Sequence, residues 1–165
     1  MAALTLGTKA PEFALKALDG DRFVLSDELS KGPVVLSFFK VSCPTCQYAF
    51  PFLERLYKTC GGKHAKLLGV SQNDSKETEA FAKQFGVTFP ILLDDTEKYP
   101  VSNAYGLTNV PTIFWIAQDG KIELSSVGWV KSDFETISRK LAEAEKTTPI
   151  PIFKPGEDVR DFRAG

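Results

Sequence analysis

Apolar residues fall into short, sharply bounded groups whose spacing changes along the chain. In FALKALDGDRFVL, alternation around Asp19-Gly20 predicts two short strands joined by a tight turn, the first carrying Phe13 and Leu15 and the second Phe23 and Leu25. PVVLSFFKV, residues 33–41, is a continuous β-branched, aliphatic and aromatic run, the pattern of a central parallel strand covered on both faces. From Pro44 the spacing turns helical, with Tyr48, Phe52, Leu53 and Leu56 on one face and Gly61-Gly62 as the stop. AKLLGVS (65–71) predicts a second buried strand and FPILLD (89–94) a third. Between them, Asp74 and Glu77 have the spacing of a capping box, opening an amphipathic helix that ends at Gly86. A helical piece at roughly 96–105 precedes PTIFWIAQDGKIELSSVGW, which reads as two strands joined at Asp119-Gly120. The last helix is SDFETISRKLAEAEK, with Ser132 and Glu135 as a second capping box.

Strands separated by helices early, then a hairpin followed by a helix, predict an α/β three-layer sandwich: a mixed central β-sheet flanked by helices, with an N-terminal β-hairpin. A chain of 165 residues makes one domain and hides roughly 70% of its unfolded surface without needing disulfides. We place that domain at residues 1–148. Residues 149–165, PIPIFKPGEDVRDFRAG, form a Pro-rich extended C-terminal tail, expected to pack over the domain rather than to serve as a ligand for another protein.

Composition narrows the partners. The net charge is -1 with 25% charged residues, so there is no basic footprint for nucleic acid. No apolar run reaches the roughly 18 residues of a membrane span, and MAALTLGTKAPEF lacks the basic start and apolar middle of a secretory leader. The expectation is a cytoplasmic protein, the alternative being an exported one whose leader is absent from the chain. Oligomeric state is left open.

The three cysteines are an odd number and too few for a disulfide scaffold, so their chemistry should be local. Cys43-x2-Cys46 followed by Cys60-x3-His64 has ligand spacings that recur in zinc sites. All four ligands would have to meet within about 2.0 to 2.3 Å of one ion. The helix predicted between Cys46 and Cys60 would instead hold the two pairs roughly 20 Å apart. We therefore expect no metal, with Cys60 a small apolar filler or half-exposed thiol and His64 a solvated loop residue. Cys43 and Cys46 differ, because a strand tip followed by a first helical turn sets them three positions apart at bridging distance. Pro44 suits that first turn. The helix start would depress the Cys43 thiol into a range of about 3.5 to 7.5, making Cys43 the attacking sulfur and the deeper Cys46 the resolving one. An inert buried pair and a redox sensor or zinc module without turnover remain the bland alternatives.

VVLSFFKVSCPTCQYAFPFL resembles the active-site strand and helix of thioredoxin-like proteins, with Pro51 five residues after the second cysteine. Asn109-Val110-Pro111-Thr112, running into IFWIA, resembles that superfamily's cis-proline loop. The N-terminal hairpin, GVSQNDSKETEAFAKQFGVTFPILLDD and AYGLTNVPTIFWIAQDGKI extend the resemblance over about residues 5–146, to the TlpA-like thiol-disulfide oxidoreductase and AhpC-TSA, or peroxiredoxin-like, branch. It implies a thioredoxin-like fold, a Cys43/Cys46 redox-active center, and no cofactor. Its partners would be protein disulfide or thiol substrates together with an upstream thiol reductant. Substrate would lie on Val110 and Pro111, with Ser42, Pro44 and Thr45 completing an uncharged rim and Lys40 adding positive potential at the thiolate. The chain departs from the pattern at Ser37, where thioredoxins carry a buried carboxylate, at Ser42, where a tryptophan is usual, and at Ala49, where many TlpA-like proteins have glutamate. A thiol peroxidase with Cys43 peroxidatic, and hence antioxidant activity, is the competing enzyme. Against it, Lys40 and Leu36 stand where the peroxidase motif has its threonine and proline.

Overall fold

Val34–Phe39, strand β3, is buried at every position because its two faces serve two different cores. Val35 and Phe39 join the cluster beneath the long helices, while Val34, Leu36 and Phe38 join a second cluster on the opposite side. This explains why the run is apolar at every position but Ser37 and not alternating. The computed structural model describes residues 3–60 and 62–165; Gly61, half of the predicted Gly61-Gly62 helix stop, lies outside them.

The other elements are β1 (Ala14–Lys16), β2 (Arg22–Val24), α1 (Leu25–Leu29), α2 (Pro44–Cys60), β4 (Lys66–Ser71), α3 (Ser75–Phe85), β5 (Ile91–Leu93), α4 (Pro100–Ala104), β6 (Thr112–Ile116), β7 (Ile122–Val127), β8 (Trp129–Val130), α5 (Lys131–Glu145) and β9 (Phe162–Arg163). The central sheet has five strands in the order β5-β4-β3-β6-β7. β3 pairs parallel with β4, β4 parallel with β5, and β6 antiparallel with both β3 and β7, so the sheet is mixed. Side chains of α2, α3 and α5 fill one face, and the β1-β2 hairpin with α1 and Tyr105 fills the other. That is the expected three-layer sandwich. No helix among the described residues is long and apolar enough to cross a membrane.

Three local expectations change. Leu25 does not extend β2; it opens α1, a short helix absent from the sequence reading, and is buried there with Leu29. The helical piece expected at 96–105 shrinks to Pro100–Ala104, because Asp95 takes the amides of Glu97 and Lys98 in a tight turn while Asp94 takes that of Ser102 at 2.8 Å. The Ser132/Glu135 capping box does not form. β8 runs straight into α5, which begins at Lys131, so Ser132 lies inside the helix and cannot cap it, and the first amide, that of Lys131, donates to the Asp161 carbonyl of the tail at 2.9 Å. The other box is half made: Asp74 accepts the Glu77 amide at 2.8 Å, while the Glu77 carboxylate turns to Asn73.

Candidate active site

β3 ends one turn of loop before α2, and that loop is held from three sides. The Val41 amide donates to Asn73 Oδ1 at 3.0 Å, the Gln47 side chain donates to the Val41 carbonyl at 2.9 Å, and the Cys43 amide donates to the Lys40 carbonyl at 3.3 Å. Pro44 takes the first helical position, where no amide is needed, and α2 runs on through Pro51 to Cys60. The result is a fixed helix start with Cys43 just before it and Cys46 one turn in.

The two sulfurs differ in burial and charge. Cys46 is fully buried in the core under α2, whereas Cys43 is half-buried beside exposed Ser42 and Pro44. Cys43 Sγ accepts the Cys46 amide at 3.1 Å. The Cys46 thiol, donating toward Cys43, contributes most to lowering the Cys43 pKa to about 6; partial burial opposes it, and the Cys46 and Thr45 amides and the Arg163 charge add to it. Burial, followed by that same shared proton, pushes the Cys46 thiol far up. One thiolate and one thiol therefore coexist at neutral pH.

Against the pair lies the loop before β6. The Val110-Pro111 peptide is cis, as the resemblance implied. The Thr112 hydroxyl donates to the Asn109 carbonyl at 2.7 Å, and the Gly128 amide donates to the Pro111 carbonyl at 2.8 Å, so the loop is braced by β6 and by the lead into β8. In its thiol form Cys43 donates to the Val110 carbonyl at 3.3 Å. Cys43, Cys46, Thr45, Val110 and Pro111 thus come together as the sequence suggested.

Lys40 accepts the Cys43 amide through its carbonyl. It is exposed and lines a cavity of about 180 Å³ with Gln72 and residues 107–110, while Arg163 contributes positive charge at Cys43. Sequence reasoning missed Arg163 entirely, since it lies 120 positions away in a tail with no motif of its own; only folding joins them. Cys60 is half-buried at the far end of the unbroken helix, 14 residues and about 21 Å from Cys46, so the four would-be zinc ligands stay apart. His64 is not merely solvated: its ring Nδ1 lies 3.1 Å from Glu145, whose buried carboxylate also accepts the His64 and Ala65 amides.

The sequence profile of the AhpC/TSA family matches residues 6–125. The chain belongs to the AhpC/TSA family. Among relatives within reach of this AhpC/TSA chain, the thiol-disulfide oxidoreductase ResA of Bacillus subtilis is 34% identical over 156 residues, covering 94% of this chain and 79% of that protein. ResA of Geobacillus thermodenitrificans is 36% identical over 122 residues, covering 73% and 68% respectively. A putative protein disulfide isomerase from Bacteroides thetaiotaomicron superposes with a TM-score of 0.80 at 25% identity, covering 88% of this chain and 95% of that one. A putative thiol:disulfide interchange protein DsbE from Chlorobium tepidum superposes at 0.74 with 28% identity, covering 87% and 99%.

Proposed function

We propose that the protein is a thiol-disulfide oxidoreductase that reduces disulfides with the Cys43/Cys46 dithiol. One observation carries the reading: a half-exposed sulfur at a helix start accepting the Cys46 amide at 3.1 Å, with a fully buried thiol one turn below it, an arrangement that favours the thiolate at Cys43 and the thiol at Cys46. The ResA relatives support it by name.

The geometry supports the following sequence. The Cys43 thiolate attacks one sulfur of a substrate disulfide; the Cys43-substrate bond forms, the substrate S–S bond breaks, and the second substrate sulfur leaves as a thiolate. Cys46 then gives up its proton to that leaving thiolate and attacks Cys43 Sγ. The Cys43–Cys46 disulfide forms, and the first substrate sulfur departs with the bonding pair. Two electrons have passed from the dithiol to the substrate, and an external thiol reductant restores the pair. Ser42, Pro44, Thr45, Val110 and Pro111 make the uncharged rim against which a polypeptide backbone can lie, with the Val110 carbonyl facing the reacting sulfur.

A second reading, thiol peroxidase, draws support from Arg163 near Cys43. It is the weaker one, because the loop presents an acceptor, the Val110 carbonyl, where a peroxide needs donors. The test of the first reading is a trap. The Cys46→Ser protein, mixed with insulin, should accumulate a mixed disulfide mapped by mass spectrometry to Cys43; an adduct at Cys60, or none, contradicts the assignment.

A further inference from the structure

The tail does more than pack on the domain, for it returns to the dithiol. Arg55 clasps both Glu157 carboxylate oxygens, at 2.8 and 2.7 Å, and donates to the Ile152 carbonyl at 3.1 Å. Phe153 packs against Phe52 and Trp129, with ring centroids 5.4 and 6.1 Å away. From these anchors the chain climbs along α2: the Arg160 amide donates to the Tyr48 hydroxyl at 3.0 Å, and the Trp129 indole donates to the Arg160 carbonyl. β9 then pairs antiparallel with β8, setting Arg163 opposite Trp129 and Phe162 opposite Val130.

The last residues cross the mouth of the site. The Thr45 hydroxyl, between the two cysteines, donates to the Ala164 carbonyl at 2.6 Å, and the Asn109 side chain donates to the Gly165 carbonyl at 3.4 Å. Gly165 lies so close to the cis-proline loop that a β-carbon on it would come within 2.5 Å of the Val110 carbonyl oxygen, and a β-carbon on Gly128 would come within 2.6 Å of the Arg163 carbonyl oxygen. This is backbone on backbone, with carbonyls, an alanine and a glycine next to the dithiol. Recognition of that kind is indifferent to side chains and suits any extended polypeptide that can add to a strand edge.

We propose that residues 160–165 are an internal stand-in for a substrate backbone, and that an extended polypeptide docks by displacing them from the edge of Trp129–Val130 and from the Thr45 hydroxyl. The inference rests on the oxidoreductase reading and specifies how its substrate binds. The strap is built to leave. Its ladder is two residues long, Phe162 is 63% exposed on its outer side, and its firm anchors, Arg55–Glu157 and Phe153, lie upstream of the part that covers the site. A small disulfide needs no such exchange, since Cys43 remains approachable past exposed Ser42 and Pro44.

The test compares the full chain with one ending at Asp161, on insulin and on bis(2-hydroxyethyl) disulfide, with matched thermal unfolding curves as the control for folding. If the strap is docked in about 90% of molecules, removing it should raise the ratio of kcat/KM for insulin to that for the small disulfide about tenfold; the small disulfide carries whatever loss of the Arg163 charge does to Cys43, so the ratio reads the strap itself. A synthetic peptide of residues 159–165, added to the shortened chain, should restore the slow rate. In the full chain, trypsin cleavage after Arg163 should accelerate when carboxymethylated insulin A chain, which trypsin does not cut, is added. The same insulin-to-small-disulfide ratio in the two chains, or cleavage unmoved by saturating A chain, overturns the strap while small-disulfide turnover keeps the oxidoreductase reading standing. Loss of small-disulfide turnover in both chains overturns that reading, and the strap's role with it.

Discussion

If the Cys46 thiol is what chiefly holds Cys43 as a thiolate, removing it should move the Cys43 titration by a predictable amount. The perturbation is Cys46→Ala, made in a Cys60→Ser background so that one thiol reports. A hydrogen bond to a charged group is worth about 1.5–3 kcal/mol, and one pKa unit is 1.36 kcal/mol, so the Cys43 midpoint should rise by about 1–2 units from its value of about 6. The Cys46 amide at 3.1 Å survives the substitution and keeps the midpoint below that of a free thiol. The assay is the rate of attack on bis(2-hydroxyethyl) disulfide across pH 4–10. A weaker acid is a better nucleophile once ionised, with a Brønsted slope of about 0.4–0.5, so the two effects oppose. At pH 6 the variant should be about 2–6-fold slower, because its thiolate fraction falls faster than its nucleophilicity rises. At pH 9, with both ionised, it should be about 3–8-fold faster. The crossing of the two profiles is the signature, since a steric change would shift both limbs the same way. A variant midpoint still near 6 refutes the reasoning and assigns the depression to the helix-start amides and the Arg163 charge.

Other outcomes follow from single contacts. Ser37→Ala should leave stability unchanged or raise it by up to about 1 kcal/mol in urea unfolding, because the buried Ser37 hydroxyl has no partner among the described residues. Glu145→Ala should cost about 1–3 kcal/mol, since the His64 and Ala65 amides lose their acceptor. Burial raises the Glu145 pKa, but those amides and the His64 ring outweigh it and leave it below 4.5. The native carboxylate therefore stabilises the fold fully above that pH and progressively less as pH falls through the lowered value, so the Glu145→Ala deficit should be largest at neutral pH and shrink in acid. Arg55→Ala should let the Glu157 carboxyl return from about 2 toward its ordinary value, seen by NMR titration, and should speed tryptic cleavage after Arg163 by loosening the tail upstream of β9.

The parts legible in the sequence were those specified by neighbours in the chain. The doubly buried run at 34–39, the Asp19-Gly20 turn and the helix start at Pro44 each declare themselves within a few residues, and with them the positions of Cys43 and Cys46. The cis Val110-Pro111 peptide was legible only through resemblance, since nothing in NVPT alone demands it. What stayed hidden depends on distant partners. Ser132 looks like a cap until β8 runs into α5 and puts it inside the helix, and His64 looks idle until Glu145 is placed beside it. Lys40 stands out because it is near in sequence, while Arg163 brings its charge to Cys43 through a tail whose anchors, Arg55 and Phe153, carry no local signal.

The claim that the dithiol acts on disulfides and not on peroxides is tested most directly by stopped-flow mixing of the reduced protein with hydrogen peroxide and, in parallel, with insulin. The account predicts that insulin oxidises Cys43 and Cys46 to their mutual disulfide far faster than peroxide does, with the peroxide reaction below about 10⁴ M⁻¹s⁻¹, the lower end of ordinary enzymatic efficiencies. A peroxide rate constant at or above that value, with insulin left intact, contradicts it.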